Sequence, residues 1–131
     1  MEIKIVNIPK IEDPRGNLSV IEKEVVPFEI KRVYYLYDVP AGAERGGHAH
    51  KKLQQFLVAL SGSFDVILND GKEEKIVTLN KPFEGLRITN GIWRELKNFS
   101  SGAVCLVVAS DVFSEADYIR DFNEFLAISS K

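Results

Sequence analysis

Hydrophobic residues in this chain recur mainly at every second position, in short runs broken by turn-forming residues. That is the period a β-strand imposes. Met1-Glu2-Ile3-Lys4-Ile5-Val6 alternates in this way and has no hairpin partner before Pro9. Leu18 to Ile21 follows the turn residues Asp13-Pro14-Arg15-Gly16-Asn17, and Ile30 to Tyr37 is rich in aromatic and β-branched residues. Leu53 to Leu60 precedes Ser61-Gly62-Ser63, and Phe64 to Leu68 runs into Asn69-Asp70-Gly71, a strong hairpin signal, before Lys75 to Leu79. Gly85 to Ile88, the segment around Ile92-Trp93 and Ala103 to Ala109 complete the set. Short strands at this spacing predict a β-sandwich or barrel.

The tail has a different period. Ser114 with Asp117 three residues on reads as a helix-capping pair, after which Tyr118, Phe122, Phe125 and Leu126 share one helical face. The spacing predicts a helix packed on the outside of the barrel.

Composition narrows the class. A chain of 131 residues with 45% hydrophobic and 27% charged content reads as one globular domain over residues 1–131. A formal net charge of -2 supplies no field to recruit nucleic acid or an anionic membrane. No run has the length of a membrane span, and the N-terminus lacks the apolar core of a signal peptide. The one cysteine, Cys105, lies in an apolar run and reads as a buried structural thiol, which makes the reducing cytoplasm the expected location.

Candidate chemistry concentrates in Arg45-Gly46-Gly47-His48-Ala49-His50-Lys51-Lys52. Both histidines of the chain are here, two residues apart, so on a strand their imidazoles share a face. Groups able to titrate near neutral pH beside a cluster of cations point to proton transfer on an anionic ligand. A plainer reading leaves them as two histidines held in a barrel wall. The spacing of Gly42, His48, His50, Gln55 and Gly62 resembles the first signature of the cupin superfamily, in which histidines and a glutamate on a jelly-roll barrel hold a metal. Here Gln55 stands at the carboxylate position and no third histidine exists, so the expectation is no metal and no cofactor.

Several separated motifs narrow the resemblance. Lys31-Arg32-Val33-Tyr34-Tyr35, the histidine segment, Trp93-Arg94-Glu95, Ala109-Ser110-Asp111 and Asp117-Tyr118-Ile119-Arg120 resemble the dTDP-4-keto-6-deoxyglucose 3,4-ketoisomerases, grouped with the WxcM-like sugar isomerases. The resemblance implies an all-β cupin jelly-roll barrel with a short C-terminal α-helix, and a homodimer exchanging N-terminal strands. It further implies a dTDP-linked 4-keto-6-deoxyhexose as substrate, with the carbonyl moved from C4 to C3 through an enediolate, as in the making of deoxyaminosugars. By match to the family motif His48 is the base, and His50 the assisting acid or hydrogen-bond donor.

Candidate substrate-binding residues follow from type. Arg45 has the fork that matches a phosphate, with Arg32 and Lys51 as further cations. Tyr35 and Tyr37 share a strand face and are expected to offer a hydroxyl or a stacking ring to the ligand. Arg15 and Arg94 match positions at which family members differ near the hexose. Arg15 is the form that goes with a 6-deoxy-galactose product and Arg94 the form that goes with 6-deoxy-glucose, and the reading leans to galactose. A C3/C5 epimerase and a non-catalytic sugar-nucleotide-binding cupin are the alternatives.

Overall fold

The computed structural model describes residues 1–130. Twelve strands are formed: β1 Lys4–Asn7, β2 Lys10–Ile11, β3 Leu18–Ser19, β4 Arg32–Leu36, β5 Arg45–His50, β6 Gln55–Ser61, β7 Phe64–Asn69, β8 Glu74–Leu79, β9 Glu84–Ile88, β10 Trp93–Lys97, β11 Val104–Ala109 and β12 Tyr118–Ile119. A short 3₁₀ turn at Glu115–Asp117 precedes β12, and a single helix, α1 Phe122–Ser129, ends the described chain. Two antiparallel five-stranded sheets, ordered β1-β9-β6-β11-β4 and β12-β5-β10-β7-β8, form the jelly roll, and β2 with β3 makes a separate hairpin. The sheets do not close into a continuous barrel.

The main core lies between the sheets. Leu57, Ala59, Cys105, Val107 and Leu86 from one sheet meet Phe64, Val66, Leu68, Leu79 and Leu96 from the other. Cys105 is free and buried there, and burial pushes its thiol up to about 12, as an inert core residue requires. The alternate residues Phe56, Val58 and Val108 point outward from the first sheet and are covered by Ile8, Val25 and Val26. On the outside of the second sheet, Ala49 and Trp93 pack with Ile119 and Phe125, so α1 seals that sheet behind β5.

Two local expectations are corrected. Ser114 makes no side-chain cap, and Tyr118 lies on β12 rather than on the helix. The cap of α1 is Asp121, whose carboxylate accepts the N–H groups of Asn123 and Glu124. The first strand pairs far along the chain: β1 lies beside β9, from Lys4 opposite Arg87 to Asn7 opposite Glu84. On β4 the sheet phase buries Tyr34 and Leu36 inward and leaves Tyr35 and Tyr37 about 60% exposed on the outer side, at 60% and 61%.

Candidate active site

The site is built on β5. Strand alternation sends Ala49 outward against α1 and turns His48 and His50 inward together. Their cross-strand neighbours are equally specific, since Arg94 of β10 stands opposite His48 and Tyr118 of β12 opposite His50. Gly46 allows this close approach. It has φ +85°, and a Cβ there would lie 3.0 Å from the Arg94 carbonyl oxygen. A bulge between Arg94 and Glu95 re-aims the strand at the same point.

These strands wall a cavity of about 320 Å³ lined by Tyr34, Arg45, His48, Gln55, Arg94, Tyr118 and Arg120, among others. The two imidazoles meet edge to face, with centroids 4.9 Å apart. Tyr118 packs on both rings, at 4.9 and 4.4 Å, and the Arg120 guanidinium covers it at 4.1 Å. Arg120 is held in turn by the Glu115 carboxylate at 2.6 and 2.9 Å.

Arg94 is buried. Its Nε and Nη2 donate to the Ile92 carbonyl at 3.2 and 3.0 Å, and its Nη1 donates to Gln55 Oε1. The Gln55 amide donates to the Tyr34 hydroxyl at 3.0 Å. Burial lowers Arg94 to about 10, so the guanidinium still carries its charge at neutral pH. Burial, then the charge of Arg94, pushes His48 down to about 3 and His50 down to about 4, which keeps both imidazoles neutral. The Nε2 atoms of both are buried without a partner. His50 Nδ1 lies 3.1 Å from Asp117 Oδ2.

A divalent cation does not fit this donor set. The Gln55 oxygen is taken by a guanidinium whose positive charge borders both imidazoles, and among the described residues no three His, Cys, Asp or Glu side chains cluster as metal ligands.

Of the residues singled out from sequence, the structure brings together His48, His50, Arg45 and Arg94. Arg32 sits behind the wall, its guanidinium 4.5 Å over the Tyr34 ring. Lys51 is exposed in the turn after β5 and does not line the cavity. Tyr35 and Tyr37 face away from the chain's own cavity, and the aromatic hydroxyls that reach it belong to Tyr34 and Tyr118. Arg15 lies at the tip of the β2–β3 hairpin, paired with Asp13 at 2.9 Å and outside the cavity. Asp117, Tyr118 and Arg120 were legible as a motif, but their roles were hidden by the helical assignment of the tail.

A model of the family described as FdtA, WxcM-like, C-terminal matches residues 1–130. The chain belongs to this family. A TDP-4-oxo-6-deoxy-alpha-D-glucose-3,4-oxoisomerase from Aneurinibacillus thermoaerophilus is 48% identical over 126 residues, covering 95% of this chain and 91% of that protein. A 3,4-ketoisomerase from Helicobacter canadensis superposes with a TM-score of 0.96 at 47% identity, over 100% of this chain and 99% of that one. A 3,4-ketoisomerase from Thermoanaerobacterium thermosaccharolyticum, solved as a histidine-to-asparagine variant with TDP-4-keto-6-deoxyglucose, has a TM-score of 0.95 at 41% identity, over 98% and 94%. Both solved structures therefore share the whole of this fold.

Proposed function

We infer that the cavity isomerises a TDP-linked 4-keto-6-deoxyhexose: the chain is a 3,4-ketoisomerase of TDP-sugars, and His48 is its base. The observation that carries the mechanism is the pair of neutral imidazoles whose buried Nε2 atoms lack partners, beside a charged, desolvated guanidinium. His48 takes the proton from C3, the C3–C4 double bond forms and the C4 carbonyl becomes an enediolate oxygen. The C3 hydroxyl then loses its proton and becomes the new carbonyl, while C4 and its oxygen are protonated. His50 assists this second half as acid or hydrogen-bond donor. Atoms and electrons balance without a redox partner, and protons alone move.

Arg94 supplies, from a buried position, the fixed positive charge that an enediolate needs. Burial first, and then the charge of Arg94, keeps His48 neutral, so the residue that stabilises the enediolate also helps to ready the base. Arg45, exposed at the mouth of the cavity, suits the diphosphate. Bound diphosphate adds negative charge and raises both histidines from their depressed values, which strengthens the base when substrate is present.

Assembly is part of the same reading. The hairpin β2–β3 exposes Ile11 and Leu18, and the free edge strand β4 exposes Val33 and Tyr35. We place this hairpin of a second copy across β4, so that the exchanged element is the hairpin and Arg15 arrives from the partner. The 6-deoxy-galactose product is tied to that arrival, whereas Arg94 acting alone is the pattern for 6-deoxy-glucose. The lone buried thiol suits a reducing cytoplasm. Among the described residues no helix is long and apolar enough to cross a membrane.

Proton NMR of the protein mixed with TDP-4-keto-6-deoxyglucose tests the assignment. A 3-keto product with solvent exchange confined to C3 and C4 supports it, and the C4 coupling reads the configuration. Exchange at C3 and C5 identifies an epimerase, and unchanged substrate with tight binding identifies a non-catalytic binder.

A further inference from the structure

Asp117 is a half-buried junction that the reaction as derived so far does not use. It ends the 3₁₀ turn before β12, and its carboxylate accepts from three directions. Oδ1 takes the Lys52 N–H at 2.8 Å, while Oδ2 takes the Leu53 N–H at 3.2 Å and lies 3.1 Å from His50 Nδ1. The two backbone donors come from the turn that immediately follows β5, so the carboxylate is clamped in place beside the ring it faces.

The consequence for His50 is tautomeric. A carboxylate without a proton only accepts, so Nδ1 must be the protonated nitrogen of the neutral imidazole. Nε2, across the ring, then carries the lone pair. That atom is buried and unpartnered, and the ring's close neighbours are His48 and Tyr118. A buried acceptor with no donor is costly, and a hydroxyl of the bound sugar is the donor that removes the cost. We propose that Asp117 is a positioning residue, which holds His50 at Nδ1–H and so presents the Nε2 lone pair to a hydroxyl proton of the substrate. The proton lost by the C3 hydroxyl moves to His50 Nε2, giving an imidazolium whose charge Asp117 balances, and returns from there to the C4 oxygen.

The kinetic half of this inference rests on the ketoisomerase reading, and the spectroscopic half does not. The chain holds two histidines, so ¹⁵N-histidine labelling gives two ring systems, assigned with the His48→Asn variant. In the wild-type protein His50 is expected at Nδ1–H. In Asp117→Asn the amide can donate to Nδ1, and His50 is expected to switch to Nε2–H while His48 keeps its tautomer. With that switch kcat should fall by roughly 10²–10⁴-fold, with KM changing by less than about threefold. Asp117→Glu, which keeps a carboxylate, should retain Nδ1–H. The proposal is overturned by a wild-type His50 at Nε2–H, by a switch that leaves kcat intact, or by a kcat loss with no switch, which marks a merely structural residue. Should Asp117→Asn not fold, the wild-type and Asp117→Glu spectra decide the matter. Wild-type protein that turns over no substrate strikes the ketoisomerase reading instead, and the tautomers still judge Asp117.

Discussion

His48 and His50 owe their protonation state to what surrounds them. An isolated imidazole is half protonated near pH 6.5, but here burial and the neighbouring Arg94 charge hold His48 near 3 and His50 near 4. The free enzyme should therefore keep its base competent well into acid. The expected kcat/KM profile is flat from about pH 8 to about pH 5 and falls as the pH approaches about 4. On the proposed reading bound diphosphate would raise both groups, so the acid limb of kcat should lie at higher pH than that of kcat/KM. An acid limb of kcat/KM at the ordinary histidine value would remove the Arg94–histidine coupling. The sign for stability follows from the same shifts. Protons bind the unfolded histidines from about pH 6.5 downward but the folded ones only near their depressed values, so stability present above pH 6.5 is lost as pH falls towards 4. Urea midpoints measured at steps of pH check this.

Single substitutions separate chemistry from anchoring. His48→Asn removes the base and should cost roughly 10²–10⁴-fold in kcat with the fold intact. Turnover near wild type in a folded variant would take His48 out of the mechanism. On the proposed reading Arg45 would contact the diphosphate equally in ground and transition states, so its loss should raise KM more than it lowers kcat. Arg45→Ala should weaken TDP binding by about 1.5–3 kcal/mol, the range for charged hydrogen bonds, readable by calorimetry. Unchanged affinity would move the phosphate anchor to Arg120, the other exposed guanidinium lining the cavity.

At the scale of elements, β5 is the piece on which the rest depends. Its Gly46 sits in the left-handed region against the Arg94 carbonyl, where a side chain strains the backbone and pushes β5 off β10. Gly46→Ala should cost about 1–3 kcal/mol of stability and lower turnover, because His48 and Arg94 no longer face each other. A variant with wild-type melting and kcat would show that the strand pair tolerates the shift. The strands themselves were largely legible, since period-two runs and the Asn69-Asp70-Gly71 turn are local signals that the ladder of β7 with β8 obeys. The tail was not legible for a tertiary reason. Ser114-x-x-Asp117 satisfies the local pattern of a cap, but Asp117 is drawn away to His50 and to two amides some 65 residues earlier, and the cap falls to Asp121. Tyr35 and Tyr37 were correctly read as sharing a face. Which face was not legible, because β4 is an edge strand whose outer side is as apolar as its inner one.

At the scale of the whole molecule, one chain brings His48, His50 and the Arg94 charge together, while Arg15 stands apart on the hairpin. If a second copy lays that hairpin on β4, each site draws His48 from one subunit and Arg15 from the other. The apolar residues exposed on β2, β3 and β4 favour such a pairing, which covers an open sheet edge at the same time. Light scattering should then find a stable dimer at micromolar concentration. Complementation gives a sharper test. His48→Asn leaves every site without its base, and Arg15→Ala leaves every site without the hairpin guanidinium. Mixed and reassembled, the two variants form heterodimers in which one site regains both native residues and the other loses both. Equal mixing puts such restored sites at about a quarter of the total, so the 6-deoxy-galactose product, made by neither variant alone, should appear in the mixture. Were Arg15 to serve its own chain, no mixed site would hold both residues and mixing would add nothing. That result, or an active monomer, would confine the site to the single chain and assign the product configuration to Arg94 rather than to Arg15.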